Sequence, residues 1–316
     1  MILYPVKLSP SYKDYLWGGT RLKTVFEKEC AFEHIAESWE LSAHKDGQST
    51  VCGGDFDGLV FSDYLHRIGK AALGSNCEKY AYFPLLIKLI DAQGNLSVQV
   101  HPSDEYALSH EGEYGKTEMW YILDCEEGAS LYYGFSRDIT KEEYENAIKN
   151  DELTNILNQV PVRRGNVFFI PAGTVHAIGA GILICEIQQN SNTTYRVYDY
   201  NRRDKNGDLR PLHIEKAIAV SNLKKAPDLL ETPDGADVLL ATCEYFEVKR
   251  LRIHGKTTIS VDDTSFVSLI ITDGSGSLTY SSDEMRFRKG DSIFIPAQNA
   301  SCTLNGNCEI ILSKVN

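Results

Sequence analysis

The chain has 316 residues, 42% hydrophobic and 24% charged, with no excess of glycine or proline; that composition excludes an extended disordered protein and supports one large or two modest domains. Its net charge of -12 argues against a nucleic-acid or anionic-membrane surface, since each needs a basic face, yet leaves room for the few cations that hold one phosphate. The N-terminal segment lacks the basic start and apolar run of a signal peptide, and the eight cysteines form no CxxC pair and no dense spacing, so a cytoplasmic protein with reduced, non-catalytic thiols is expected.

Taken in order, residues 58–73 give a rough helical face through Leu59, Phe61, Leu65 and Ile68. Strands begin in earnest near residue 83. The first with a clear period is Leu96-Ser-Val-Gln-Val-His-Pro102, whose alternation puts Leu96, Val98 and Val100 on one face and Ser97, Gln99 and His101 on the other. The next repeats the pattern: Lys116, Glu118, Trp120 and Ile122 share one face, Thr117, Met119, Tyr121 and Leu123 the opposite one. Residues 141–150 and 152–157 read as helical, with Tyr144, Ala147 and Ile148 as the apolar side. Pro171-Ala-Gly-Thr-Val then predicts a tight turn that aims His176 toward the earlier strands. Residues 213–220 read as one more short helix.

A faint repeat organises these elements. Gly165-Asn-Val-Phe-Phe-Ile-Pro-Ala172 matches Gly290-Asp-Ser-Ile-Phe-Ile-Pro-Ala297, and the strand at Trp120 matches one at Val267. The spacing leaves a helical insertion at 138–159 in the first copy only. The expected fold is therefore mainly β: two cupin-like jelly-roll units with added short helices. We divide the chain into a catalytic unit, 1–223, and a degenerate C-terminal unit, 224–316, with the boundary in the polar, proline-bearing stretch 224–237. On this alignment Ser301 stands opposite His176 and Ser265 near Glu118, so the second unit has no metal site. It is expected to shield one face of the first.

Two imidazoles, a carboxylate and an amide oxygen from His101, His176, Glu118 and Gln99 make a ligand set for one divalent metal. Zn(II) suits it, and Fe(II), Mn(II), Co(II) and Ni(II) also accept it. His110 lies in a polar loop and is read as exposed; His34, His44, His66, His213 and His254 are read as surface or structural. From the residues alone, Arg196 reads as a partner of Asp199 or Asp204.

The strings Phe83-Pro-Leu-Leu-Ile-Lys-Leu-Ile-Asp-Ala92, Leu96 to Pro102, Gly115-Lys-Thr-Glu-Met-Trp-Tyr121, Pro171-Ala-Gly-Thr-Val-His-Ala177 and Thr194-Tyr-Arg-Val-Tyr-Asp-Tyr200 resemble, in order and spacing, the signatures of class I, cupin-type mannose-6-phosphate isomerases. The resemblance runs from Leu16-Trp-Gly-Gly19 through the C-terminal unit, and the length fits the short bacterial form, without the extra helical domain of longer members. It implies that Gln99, His101, Glu118 and His176 bind zinc, that Arg196 and Lys116 serve catalysis and substrate binding, that Ser97 meets the substrate phosphate and that Glu186 lines the site. The implied reaction interconverts mannose 6-phosphate and fructose 6-phosphate through an enediol. Glu186, Lys116 and a metal-bound hydroxide are the candidate bases, with Glu186 preferred. Two other readings stand beside it: a non-catalytic sugar-binding or regulatory cupin, and a cupin oxygenase built on an iron facial triad, against which Gln99, Lys116 and Arg196 speak.

Overall fold

Alternating residues sort themselves here into antiparallel sheets stacked face to face. The computed structural model describes residues 3–203, 207–229, 232, 234–298 and 300–316; no helix among them is long and apolar enough to cross a membrane. One five-stranded sheet runs in the order Leu157–Pro161, Ser130–Phe135, His176–Ala177, Val98–Val100, Tyr195–Tyr198. Facing it is a six-stranded sheet in the order Val167–Ile170, Glu118–Cys125, Ile182–Gln189, Leu85–Ala92, Glu37–Leu41, Ser11–Lys13.

The period of two decides what lies between and outside these layers. Trp17, Ile90, Trp120, Ile122, Tyr133, Phe168 and Ile184 fill part of the space between the two sheets. Val98 and Val100 point outward, where Phe135, Tyr144 and Ala217 join them under the helices Lys141–Lys149 and Ile214–Val220. Thr140 and Glu143 form a capping box that starts the first of these helices. The helix expected at 152–157 is instead a single 3-10 turn, Leu153–Asn155, followed by the strand from Leu157. Asp151, at φ +64°, breaks the helix, and Leu157 is taken by its partner Phe135 in the sheet.

The C-terminal unit is a third sheet with its own core of Leu251, Ile253, Leu269, Leu278, Phe287, Ile293, Leu304 and Ile310. Its outer face, with Phe246, Phe266, Phe294 and Ile311, packs on the outward face of the six-stranded sheet through Ile87, Leu89, Met119, Tyr121 and Ile187. The repeat is visible in the pairing. Val167–Ile170 lies beside Glu118–Cys125, which lies beside Ile182–Gln189; Ser292–Ile295, Val267–Tyr280 and Ala300–Lys314 pair in the same order. Register refines the alignment by two residues: Ile170 faces Glu118 and Ile295 faces Val267. An apolar Val267 thus holds the place of Glu118, where sequence alignment pointed to Ser265.

Strands also form well before residue 83. Val6–Ser9 pairs with Ser292–Ile295 and with Thr50–Cys52, so the N-terminal segment extends the C-terminal sheet. Lys28 seals this junction: its ammonium, buried, donates to Glu40 at 2.7 Å and to the Gly290 carbonyl at 2.6 Å, while Ser38 donates to the other Glu40 oxygen at 2.6 Å. Burial pushes the Glu40 carboxyl up despite Lys28. Lys28→Met strands that carboxylate without its cation and is expected to cost about 3–5 kcal/mol, read by denaturant unfolding. Adding Glu40→Gln should restore part of the loss.

Candidate active site

Three neighbouring strands of the five-stranded sheet bring distant residues into one row. His176 faces Gln99, and Gln99 faces Arg196. The predicted turn exists: Thr174 donates to the Pro171 carbonyl at 3.1 Å, and Gly173 sits at φ +86° with a virtual Cβ only 2.9 Å from the Val220 carbonyl oxygen, so glycine alone fits there. His101 follows the Val98–Val100 strand and is 1% exposed; His176 and Glu118 are fully buried.

The six-stranded sheet supplies the facing row. Trp120 faces Glu186, Glu186 faces Lys88, and Lys88 faces Trp39. Glu118 enters the same layer one pleat away. Lys116 approaches it because Gly115 packs against the start of the Asp104–His110 helix, where its amide donates to Asp104 Oδ1 at 2.6 Å.

His101, Glu118 and His176 close into a buried cluster whose ligand atoms all lie within 4.8 Å of one another. Glu118 Oε1 is 3.3 Å from His176 Nε2, and Oε2 is 3.7 Å from His101 Nε2. Each imidazole is oriented from behind: His101 Nδ1 donates to the Thr193 carbonyl at 2.9 Å and His176 Nδ1 to the Thr174 carbonyl at 2.8 Å. That tautomer leaves both Nε2 lone pairs aimed at Glu118, as metal ligation requires. Gln99 reaches His176 Nε2 at 3.4 Å through its amide nitrogen, and a half-turn of the carboxamide offers the oxygen instead.

The electrostatics fit a metal as well. Burial, then the Lys116 charge, lowers His176 to about 3 and His101 well below its usual value, so both are neutral. Burial pushes Glu118 up to about 7 even though Lys116 opposes it. Glu118 Oε1 has no hydrogen-bond partner although buried, a deficit that a cation at the cluster centre removes. Lys116 donates to Glu118 Oε2 at 2.5 Å and approaches His101 Nε2 to 3.0 Å, covering lone pairs that a metal would take.

Above the cluster opens a cavity of about 270 Å³ lined by Ser97, Gln99, Lys116, Glu186 and Arg196 among others. Ser97, Gln99, Lys116, Glu186 and Arg196 thus line one pocket, and Gln99 and Lys116 also touch the His101, Glu118 and His176 cluster. Glu186 Oε2 accepts from Trp120 Nε1 at 3.0 Å, while Oε1 has no hydrogen bond and lies 3.3 Å from Lys88 and 3.9 Å from Lys116. Burial works to raise its carboxyl, but Lys116 and Lys88 outweigh it and hold it below the ordinary range.

Sequence reasoning missed Lys88, Glu37 and Arg210, which line the same cavity. Lys88 carried a signal: a lone lysine within Leu85–Ala92, a strand buried at every position. It stays charged because Glu37 at 3.5 Å and Glu186 offset its burial. Arg196 does not pair with Asp199, which takes Arg202 and Arg210 instead; Asp204 lies outside the described residues. His110 is exposed, as expected, whereas His44 is buried and His213 accepts from the Arg196 backbone amide at 3.2 Å.

A two-unit cupin with a buried His–Glu–His centre under a charged pocket is the class that fold and site define. Residues 6–130 match the family model "Phosphomannose isomerase type I, catalytic domain", and residues 237–315 match "Mannose-6-phosphate isomerase, cupin domain". Mannose-6-phosphate isomerases of Bacillus subtilis and Streptococcus mutans are each 38% identical to the chain; the first match covers 99% of both chains, the second 99% of this chain and 98% of the relative. The crystal structure of a B. subtilis mannose 6-phosphate isomerase superposes with a TM-score of 0.90 at 35% identity, covering 98% of this chain and 99% of the other. The chain belongs to the type I mannose-6-phosphate isomerase family.

Proposed function

We infer that this chain interconverts mannose 6-phosphate and fructose 6-phosphate by proton transfer between C1 and C2 through an enediol, in the catalytic unit 1–223, with 224–316 as its non-catalytic cover. The observation that carries the reading is the unsatisfied, buried Glu118 carboxylate between two imidazoles of fixed tautomer, beneath a pocket of acid–base groups.

Gln99, His101, Glu118 and His176 are the ligands we assign, and Zn(II) suits their mixture of nitrogen and oxygen donors. Bound there, the metal supplies Lewis acidity that stabilises charge developing on the sugar oxygens and acidifies the neighbouring C–H. Glu186 Oε1 then takes the carbon proton and returns it to the adjacent carbon, as a carboxylate held ionised by its two lysines. Lys116 and Arg196 donate to O1 and O2 as they gain charge, and the hydroxyl proton leaving O2 passes to O1 as the carbonyl shifts. Ser97, buried in the pocket wall, offers a hydroxyl to the phosphate. A cytoplasmic setting is supported by eight cysteines that are all free.

Coupled turnover of mannose 6-phosphate by the purified chain, before and after chelation, tests the reading. Chelation is expected to remove at least about 99% of the rate, since a Lewis acid at such a site is worth several kcal/mol, and added zinc should restore it. A rate that ignores thorough chelation would remove the metal from the mechanism.

A further inference from the structure

The pocket is charged against the sign of the chain. Four cationic side chains, Lys88, Lys116, Arg196 and Arg210, and two carboxylates, Glu37 and Glu186, line it, in a protein of net charge -12. The lysines are accounted for, because Lys88 lies between Glu37 and Glu186 and Lys116 lies on Glu118. The arginines are not. Arg196 donates Nη1 to the Pro211 carbonyl at 2.9 Å, its Nε has no partner, and it has no carboxylate ion pair among the described residues.

Arg210 is held differently. Its Nε and Nη2 grip Asp199 in a bidentate pair at 2.7 and 2.6 Å, which fixes the plane of the guanidinium and leaves Nη1 without a protein partner among the described residues. Asp199 is 5% exposed and also takes Arg202. One carboxylate therefore answers two guanidinium groups, and Arg196 has none. Among the described residues, Arg202 and Arg210 set against Asp199 leave one positive charge beyond that of Arg196, which suits an anionic phosphate monoester.

Position agrees with charge. From His176 through Gln99 to Arg196 the row runs outward to the edge strand Tyr195–Tyr198, and Asp199 with Arg210 lies just past its end. The reacting carbons and the terminal phosphate of a six-carbon sugar phosphate are likewise at opposite ends of one chain. We propose that Arg210, aimed by Asp199, binds the substrate's terminal phosphate, with Arg196 left to the sugar oxygens, and selects phosphorylated over free sugar. This rests on the isomerase reading for the sugar; Asp199 is then a positioning residue.

The test uses full-length, metal-loaded protein and the variants Arg210→Ala, Arg210→Lys and Asp199→Asn, with inorganic phosphate as a direct calorimetric probe. Arg210→Ala is expected to raise KM for mannose 6-phosphate by roughly 10- to 150-fold, the value of a lost charge-assisted hydrogen bond, with kcat changed by less than about threefold. Phosphate should bind more weakly by a similar factor, and kcat/KM for unphosphorylated mannose should not move. Arg210→Lys keeps the charge without the fork and should fall between; Asp199→Asn should raise KM in the same direction. Unchanged phosphate affinity and KM in Arg210→Ala would overturn the proposal even if turnover is normal. Loss of phosphate affinity in that variant, in a protein that turns over no sugar phosphate, would keep the anion subsite and reject the isomerase reading.

Discussion

His101→Ala is expected to leave a folded protein that no longer retains metal and has lost roughly a thousandfold or more of its isomerase rate, because stabilisation worth several kcal/mol at the developing oxyanion goes with the ion. Both His101 and His176 present an Nε2 lone pair to Glu118, each fixed by a backbone carbonyl behind it. Removing one imidazole leaves too few donors to offset dehydration of a divalent cation. Metal content by atomic absorption, measured beside the rate, checks the order of events. Full metal occupancy together with lost turnover would show that His101 acts on substrate and is no ligand.

The same site sets a pH dependence for loading. Burial raises Glu118 in the metal-free protein to about 7, so below that pH the carboxyl carries a proton that the metal must displace. Apparent affinity should then fall by about tenfold for each pH unit below 7 and level off above it. Glu118→Gln should bind far more weakly and lose that slope, which titration calorimetry resolves.

Much of this site was legible because it is written in short alternating strands. Gln99 and His101, then Lys116 and Glu118, each fall two residues apart, and a pleat keeps such pairs on one face. Gly173 and its proline announced the turn before His176. What local pattern could not carry was pairing at long range. Val6 meets Phe294, and nothing in the spacing of either segment specifies the other, so the early strands went unread. Arg210 escaped for a related reason: it lies in a loop with no period, and its partner Asp199 is eleven residues upstream rather than on a shared face. Lys88 stands alone in an apolar run whose spacing does not show that its charge is what Glu37 and Glu186 require.

Glu186→Gln is the sharper test of mechanism, since it changes one atom. The amide oxygen can still accept from Trp120 Nε1, so the side chain should stay in place, while Oε1, the atom proposed to accept the proton, is gone. General-base removal is expected to lower kcat by about 10²–10⁴ with metal content and KM little altered. Exchange of the substrate's C2 proton with solvent deuterium should slow in parallel. A kcat within about threefold of the parent would move the base to Lys116 or elsewhere. A second variant reads the charge around it. In the parent, Lys116 and Lys88 outweigh burial and hold Glu186 below its ordinary range, so its base form is fully populated at neutral pH. Lys88→Met removes one of those cations and raises the Glu186 pKa. Because the carboxylate must be ionised to accept a proton, kcat/KM should begin to fall at a higher pH on acidification than in the parent; an acid limb that does not move would separate Glu186 from the rate-limiting proton transfer.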